Sequence, residues 1–451
     1  VVESLSFDRD VAVSVFETTI RVLGGLLSAH LLILEVPGLY HASPETPPYA
    51  GELLDLAVDL GDRLLRAFAT PTGIPVHKVH LTRGIEPKEL RTTCPAAAGT
   101  LLVEMGVLSR LTGDSRYQDA AHRAVREIWQ RRSKLDLVGS SINVDDGSWQ
   151  SQQSSIGAGI DSFFEYLFKA GVVLDDGDLV DMFHLAFSAV DRHARWKKHH
   201  VEVCMVSGRP KTHRVSALQA FWPALQLQAG NLSAAEATYQ SLLDIWRKFR
   251  ALPEMYDVRA RDTLSFSRDS PLRPELLEST YHLYGATRKD KYLRSAFDML
   301  YALQNISRVD CGFASIADVH THRLDDRMDS YFISETLKYL FLIFDESLDP
   351  QDRKSLLCPG VGNATHNTVA AGPTPVDDSA SAAAASVNGS TVETAGCLPK
   401  SGFIFTTEGH PILLSRIHRP AGLDTQGGES LDPESSLLSH QGALRVIVGA
   451  N

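Results

Sequence analysis

The chain has 451 residues, of which 43% are hydrophobic and 22% are charged, a composition typical of a globular protein with a large core. Its formal net charge of −11 disfavours a broad nucleic-acid-binding surface, which would carry the opposite sign. The longest apolar runs, such as 339–344, are shorter than the roughly 20 residues of a membrane helix. We therefore expect neither a nucleic-acid partner nor a membrane span.

The compartment is indicated only weakly by short motifs. Four glycosylation sequons favour the secretory pathway, although sequons also arise by chance; they begin at Asn231, Asn305, Asn363 and Asn388. The cysteines are Cys94, Cys204, Cys311, Cys358 and Cys397, an odd number without CxxC spacing. Two interpretations stay open: buried thiols, or one cysteine that bridges to a partner or to a segment outside this sequence.

Helical periodicity dominates the chain, and convincing alternating strands are few. An apolar helical run repeatedly ends in a short turn and is followed by an amphipathic run, which predicts αα-hairpins at 108–129, 166–190, 227–246 and 281–303. Because the spacing of these hairpins is irregular, a closed ring of inner and outer helices fits better than a regular solenoid.

Composition changes sharply in the last quarter of the chain. Residues 359–400 are dominated by Pro, Gly, Ser, Thr and Ala, which is typical of an insertion or linker. We therefore expect a helical domain over 1–358, a short strand at Phe403–Phe405 within a final segment 401–412, and a tail over 413–451 that could hold another strand at 444–448.

Several inner-helix candidates begin with an acidic residue. The acids that open such helices are Glu17, Asp161, Glu275 and Asp329. An acid at a helix N-terminus ordinarily complements the helix dipole by about 0.3–1 kcal/mol, and this stabilisation alone would explain the presence of any single one of these acids. Pairs at i,i+3 or i,i+4 nevertheless share one helix face, as Glu17 does with Arg21, Asp161 with Glu165, and Glu275 with Glu278. In a ring of helix pairs, these first turns would converge on one mouth.

Carboxylates that converge on one mouth have a chemical use. One carboxylic acid can protonate a leaving oxygen while a second carboxylate activates water, as in inverting glycosidases. Crowding raises the pKa of neighbouring carboxyls, and surplus oxygen ligands suit a hard cation such as Ca²⁺. Other signals are weak, since the chain has no HExxH, Walker or GxSxG motif.

The same segments resemble the signatures of glycoside hydrolase family 47, the class I α-1,2-mannosidases. Five motifs occur in family order, at 16–30, 159–167, 272–279, 327–332 and 405–411. The resemblance implies an (α/α)7 barrel, a helical toroid with a few short β-strands, which trims α-1,2-linked mannose from N-glycans with inversion and uses Ca²⁺.

Residue roles follow from the resemblance alone. Glu17 matches the general acid, and Asp161 and Glu275 match two carboxylates that position or deprotonate water, with Glu275 favoured as the base. Arg21 and Arg273 match residues that orient carboxylates and substrate, and Thr407 matches the threonine whose hydroxyl and carbonyl bind Ca²⁺. The acids implied to hold calcium-bound waters or sugar hydroxyls are Glu165, Glu278, Asp329 and Glu408.

Some positions depart from the family pattern. Asp329 stands where the family usually has the longer Glu, and Thr406 and Gly409 replace the usual Asn and Ala beside Thr407. The family's first helix and its cysteine have no match here. That cysteine pairs in the family with one before the final strand, and Cys397 is the best match for the latter.

Within the family, the chain is most similar to the ER degradation-enhancing α-mannosidase-like branch, and the 359–400 segment resembles a fungal-type member. The motifs that indicate this branch lie at 70–75, 92–94, 217–223, 252–256 and 311–314. The branch implies an ER-lumenal protein that acts on high-mannose N-glycans of misfolded glycoproteins, with a protein disulfide isomerase as partner. A lectin-like protein without turnover and a helical scaffold without sugar chemistry stay open as alternatives.

Overall fold

A computed structural model describes residues 1–36, 39–40, 48–348 and 403–418. Within these ranges, the α-helices are α1 (Val15–Thr18), α2 (Gly24–Glu35), α3 (Glu52–Leu65), α4 (Pro95–Gly99), α5 (Leu102–Thr112), α6 (Arg116–Gln130), α7 (Asp161–Leu174), α8 (Gly177–His193), α9 (Trp222–Gln228), α10 (Leu232–Phe249), α11 (Glu275–Thr287), α12 (Asp290–Ala302), α13 (Lys338–Ser347) and α14 (Leu414–Ile417). Short 3₁₀ segments span Arg66–Phe68 and Ala217–Phe221, and π-helical segments span Thr19–Leu23, Leu303–Ser307 and Phe332–Leu337.

The helices form two concentric layers. Inner helices α5, α7, α9 and α11 each pack against the helix that follows, so α6, α8, α10 and α12 lie outside them. The first inner helix runs from α1 through a π-helical segment into α2 and packs on α3, and the last runs from Phe332–Leu337 into α13. The four predicted αα-hairpins are therefore confirmed, as is the predicted ring of helix pairs.

One apolar core joins the layers. The inner helices are buried on nearly every side: α7 hides Phe163, Phe164 and Phe168, and Trp222 of α9 stands edge-on to Phe164. The outer helices are amphipathic, as α6 illustrates with Tyr117 buried and its opposite face in solvent. Burial on both faces is the reason that the inner helices read as apolar stretches in the sequence.

The strands are short and lie in the connections. They are β1 (Ala12–Ser14), β2 (Lys78–His80), β3 (Thr92–Thr93), β4 (Ser141–Asn143), β5 (Trp149–Ser151), β6 (Gln153–Ser154), β7 (Arg195–Trp196), β8 (His199–His200), β9 (Val203–Cys204), β10 (Arg214–Ser216), β11 (Met255–Asp257), β12 (Asp262–Thr263), β13 (Arg308–Val309), β14 (Gly312–Phe313), β15 (Ser315–Asp318), β16 (Arg323–Asp325), β17 (Phe403–Phe405) and β18 (Pro411–Leu413). All pair antiparallel in sheets of two or three strands.

The hairpin of β17 and β18 fills the ring from one side. The strand predicted at Phe403–Phe405 is present as β17, whose Phe405 ring lies against Tyr281 of α11 and Tyr339 of α13. Strand β18 packs on α2, and α14 follows it onto α5 and α7. The strand expected at 444–448 lies outside the described residues, as do the whole of the 359–400 segment and all of the 413–451 tail after residue 418.

The expectation that no apolar segment approaches the length of a membrane helix is wrong. The continuous helix Val15–Glu35 has 21 residues and a mean hydropathy of 1.3 in its most apolar window, so it is long and apolar enough to cross a membrane. The helix is this apolar because it is an inner helix that packs on α3 and α5, with half of that window buried.

Candidate active site

Two acids share the guanidinium of Arg21 at the first inner helix. Arg21 Nε donates to Glu17 Oε2 at 2.8 Å, and its Nη1 lies 2.6 Å from Glu408 Oε1. Glu17 sits in the first turn of α1, where the Ser14 hydroxyl caps its N–H, and its side chain is 49% exposed. The Glu17 carboxylate is therefore accessible, whereas Glu408 is buried.

Helix α7 carries a column of charged groups along its inner face. Asp161 is its first residue, and Glu165 and Lys169 follow at one-turn intervals, the last two forming a buried ion pair. Burial raises the pKa of Asp161 to about 7, and the Glu165 carboxylate adds to the rise. A neutral and an ionised Asp161 are therefore both populated near neutral pH.

The strained segment before α11 positions Arg273 and Glu275. Leu272 adopts φ of 59°, an uncommon conformation for a branched residue, and the Thr336 hydroxyl donates to its carbonyl at 2.9 Å. Arg273 then forms two hydrogen bonds of 2.7 Å to Glu254. Burial raises the pKa of Glu275, the first residue of α11, to about 7, although the charge of Arg273 opposes the rise.

A second layer of acids lies one turn deeper. Burial raises the pKa of Glu278 to about 8 and that of Glu408 to about 7, partly offset by Lys169 and Arg21 respectively. Burial, followed by the charge of Glu408, also raises the pKa of Glu335. Close carboxylates resist simultaneous ionisation, so this layer favours either shared protons or an added cation.

Thr407 joins the hairpin loop to this acidic layer. Its hydroxyl donates to Glu165 Oε2 at 2.9 Å, and its N–H donates to the Tyr166 hydroxyl at 3.3 Å. Tyr166 in turn donates to the buried Glu104 at 2.7 Å. Thr407 thus lies beside Glu165, one helical turn from Asp161, and we call this group of oxygens around Thr407 the floor of the site.

Asp329 lies apart from this floor. It does not begin a helix, because the helical segment starts after Tyr331, and it forms a hydrogen-bonded pair with Arg327. Although burial opposes the change, hydrogen bonds from Arg327 and the Tyr331 hydroxyl lower the pKa of Asp329. Asp329 therefore neighbours Arg273, whose guanidinium lies over the Tyr331 ring, rather than Thr407.

The predicted residues thus converge, with additions that the sequence did not single out. Arg21 is close enough to Glu17, Glu408 and Glu335 for their charges to stabilise its own. Glu335 in turn interacts with Glu275, and Glu275 interacts with Asp161. The residues that sequence reasoning missed are Glu104, Lys169, Glu254, Glu335 and Lys338. Lys169 and Lys338 continue predicted helix faces at i+4 and i+3 from acids, a signal that was present.

The donor set at the floor fits a hard divalent cation. It consists of hydroxyl and carboxylate oxygens around Thr407, and acids outnumber the cations that face them. Among the described residues, no three His, Cys, Asp or Glu side chains form a group that could hold a metal by themselves. The residues that could contribute oxygens to such an ion are Thr407 and the neighbouring Glu165.

Comparisons with known proteins identify the family of the chain. The family model of glycosyl hydrolase family 47 matches residues 1–356. The chain is 44% identical to Alpha-mannosidase I MNS5 of Arabidopsis thaliana over 346 residues, covering 76% of this chain and 59% of that protein. It is 39% identical to ER degradation-enhancing alpha-mannosidase-like protein 2 of Homo sapiens over 422 residues, covering 92% and 66%. The fission yeast Schizosaccharomyces pombe has a relative of 39% identity, ER degradation-enhancing alpha-mannosidase-like protein 1, with 77% and 44% covered.

A solved structure supports the fold. The alpha-1,2-mannosidase from Trichoderma reesei superposes with a TM-score of 0.71 at 23% identity, over 92% of this chain and 85% of that one. This match confirms the helical toroid. The chain spans between 44% and 66% of the length of the three relatives named above. The matched family model and these identities show that the chain belongs to glycosyl hydrolase family 47, among the ER degradation-enhancing α-mannosidase-like proteins.

Proposed function

We propose that this protein hydrolyses terminal α-1,2-linked mannose from high-mannose N-glycans, with inversion at the anomeric carbon. The observation that carries the proposal is the acidic cluster in which Glu275 acts on Asp161 directly and on Glu17 through Glu335 and Arg21, with Thr407 bonded to Glu165 one turn below Asp161. Two carboxyls with pKa about 7 beside a third, exposed carboxyl suit proton transfer to and from oxygen near neutral pH.

Glu17 is the proposed general acid. Its carboxyl is the most exposed of the three and lies at the mouth, where a leaving sugar can depart. Arg21 holds the carboxyl through Oε2, so Oε1 is left to face the glycosidic oxygen. Protonation of that oxygen releases the rest of the glycan as an alcohol.

Glu275 is the proposed general base. The nearby Arg273 stabilises its ionised form, and Glu254 keeps Arg273 in place through two hydrogen bonds. Glu275 accepts a proton from the water that attacks the anomeric carbon on the face opposite to Glu17. Asp161, whose charge acts on Glu275, orients that water.

Calcium is the proposed cofactor, held by Thr407 and by waters bound to Glu165, Glu278 and Glu408. When bound there, the ion would supply a hard Lewis acid for the hydroxyls of the terminal mannose. The crowded acids, which only a cation can keep jointly ionised, support this assignment.

The proposed setting is the ER lumen, with misfolded glycoproteins as substrates, which the names of the relatives support.

A protein disulfide isomerase is the proposed partner. The thiols of Cys94, Cys204 and Cys311 are free, and Cys311 is exposed and so available for a mixed disulfide. Cys358 and the proposed disulfide cysteine Cys397 lie outside the described residues. Non-reducing gels of a C311S variant test the partner: an adduct unchanged by the substitution would exclude Cys311.

Release of mannose tests the function directly. Incubating the protein and a high-mannose N-glycan in Ca²⁺ is expected to give glycans that are shorter by one hexose, as seen by mass spectrometry. A lectin-like protein would bind the glycan and leave its mass unchanged, and a scaffold would do neither. EDTA is expected to abolish release, and excess Ca²⁺ to restore it.

A further inference from the structure

The hairpin loop that carries Thr407 and Glu408 is tied to three different inner helices. Thr407 contacts Glu165 and Tyr166 of α7, and Glu408 pairs with Arg21 of the first inner helix. The third tie comes from Lys338, the first residue of α13, whose ammonium donates to the carbonyl of Gly409. Successive residues of one loop thus meet the ring from separate sides.

The Lys338 ammonium is held in place by aromatic rings. It lies 4.8 Å from the ring centroid of Phe405, in the strand that enters the loop, and 5.1 Å from that of Tyr339. Such positions are favourable for an ammonium ion when partly desolvated. The side chain therefore reaches the loop along a fixed path between α13 and β17.

Gly409 is the residue that makes this contact possible. Its φ is +66°, and hydrogen bonds between Thr406 and both Gly409 and His410 close the loop. A Cβ at position 409 would collide with the Lys338 ammonium and lie 3.3 Å from Cγ of Glu335. Only glycine both accepts this backbone conformation without strain and leaves room for the lysine.

From these contacts we infer that Lys338 is a positioning residue, which holds the 407–409 loop in place through the Gly409 carbonyl. The ammonium does not touch substrate; it fixes the backbone that presents Thr407 and Glu408. This inference rests on the proposed function for its effect on calcium, whereas the anchoring itself rests on the contacts alone.

Two substitutions remove the anchor from opposite sides. Lys338→Met removes the donor, and Gly409→Ala displaces it. A matched control is Gly113→Ala at the end of α5, where φ is +76° and no atom lies within 4 Å of the added Cβ. The control reports the cost of alanine in a left-handed conformation, which is a fall in Tm of about 1–3 °C.

The first measurement is hydrogen exchange of the whole protein in EDTA, followed on the peptide that covers the hairpin. We expect exchange of the loop amides to rise about tenfold in Lys338→Met and Gly409→Ala and to stay unchanged in Gly113→Ala. The double variant is expected to resemble either single one, because both remove the same contact. Unchanged exchange in the Lys338→Met variant would overturn the inference.

The second measurement is the Ca²⁺ concentration that half-saturates the rise in Tm. We expect about a tenfold higher concentration for both loop variants than for wild type. A lower concentration for Lys338→Met would show that the ammonium acts as a competing charge, and a lower Tm with unchanged calcium response would show a merely structural role. Either result overturns the inference. A wild type that neither responds to Ca²⁺ nor releases mannose would instead refute the proposed function, while loop exchange would still decide the anchoring.

Discussion

Replacement of Glu275 by Gln tests the proposed general base directly. The amide keeps the size of the side chain and removes its ability to accept a proton. Loss of a general base lowers rates by about 10²–10⁴-fold, which corresponds to about 2.7–5.4 kcal/mol of transition-state stabilisation. We expect kcat/KM to fall within that range, with little change in glycan binding.

The ionisation of Glu275 also predicts how strongly kcat/KM of the wild type depends on pH. Burial raises the pKa of Glu275 to about 7, so about half of the carboxyl is ionised at pH 7 and about one-eleventh at pH 6. Because a base acts in its ionised form, kcat/KM of the wild type should fall about fivefold from pH 7 to pH 6 on this ionisation alone. The Glu275→Gln variant should lose this contribution to the pH dependence.

The assay is mannose release from a defined high-mannose glycan in saturating Ca²⁺ between pH 5.5 and 8. A control is Glu346→Gln, which removes an acid that lies near the end of α13 and pairs with Arg288, away from the acidic cluster. The control should retain wild-type kcat/KM. A Glu275→Gln variant with near-wild-type activity would refute the assignment of the base.

Three further predictions concern the supports of the site. Thr407→Val removes a hydroxyl that donates to Glu165, so the Ca²⁺-induced rise in Tm should shrink; an unchanged rise would exclude the hydroxyl as a ligand. Glu254→Gln weakens the paired hydrogen bonds to Arg273 and should lower kcat/KM about tenfold without lowering Tm by more than a few degrees, whereas unchanged kinetics would show that Arg273 needs no support. Burial raises the pKa of Glu104 to about 8, above its unfolded value of about 4.5. Because the unfolded chain releases this proton at lower pH than the folded protein does, the free energy of unfolding falls as pH rises from about 4.5 to 8. Denaturant unfolding of Glu104→Gln should therefore show about 1–3 kcal/mol more stability relative to wild type at pH 8 than at pH 5, and equal differences at both pH values would contradict the buried proton.

The parts of the site that lie on single helices could be predicted from the sequence. Glu17 with Arg21, and Asp161 with Glu165, are spaced so that one helix face must carry both members. The structure has both pairs at the starts of inner helices. The αα-hairpins were predictable for the same reason, since apolar periodicity reports burial of a helix face.

Contacts between distant segments could not be predicted from spacing. Thr407 reaches Glu165 across 242 positions, and only a family resemblance indicated its role. The helix predicted from Asp329 starts after Tyr331, and its π-helical first turns place Glu335 rather than Asp329 beside Glu408. A π-helical segment shifts the face that a side chain occupies, so a period of 3.6 misassigns residues there.

The most direct test of the central claim is the anomeric form of the first mannose released. Proton NMR during the earliest turnover distinguishes α-mannose from β-mannose before the two interconvert. Attack by water opposite Glu17 on an α-linkage predicts β-mannose as the initial product, and only in the presence of Ca²⁺. Initial release of α-mannose, or of no mannose at all, would contradict the account.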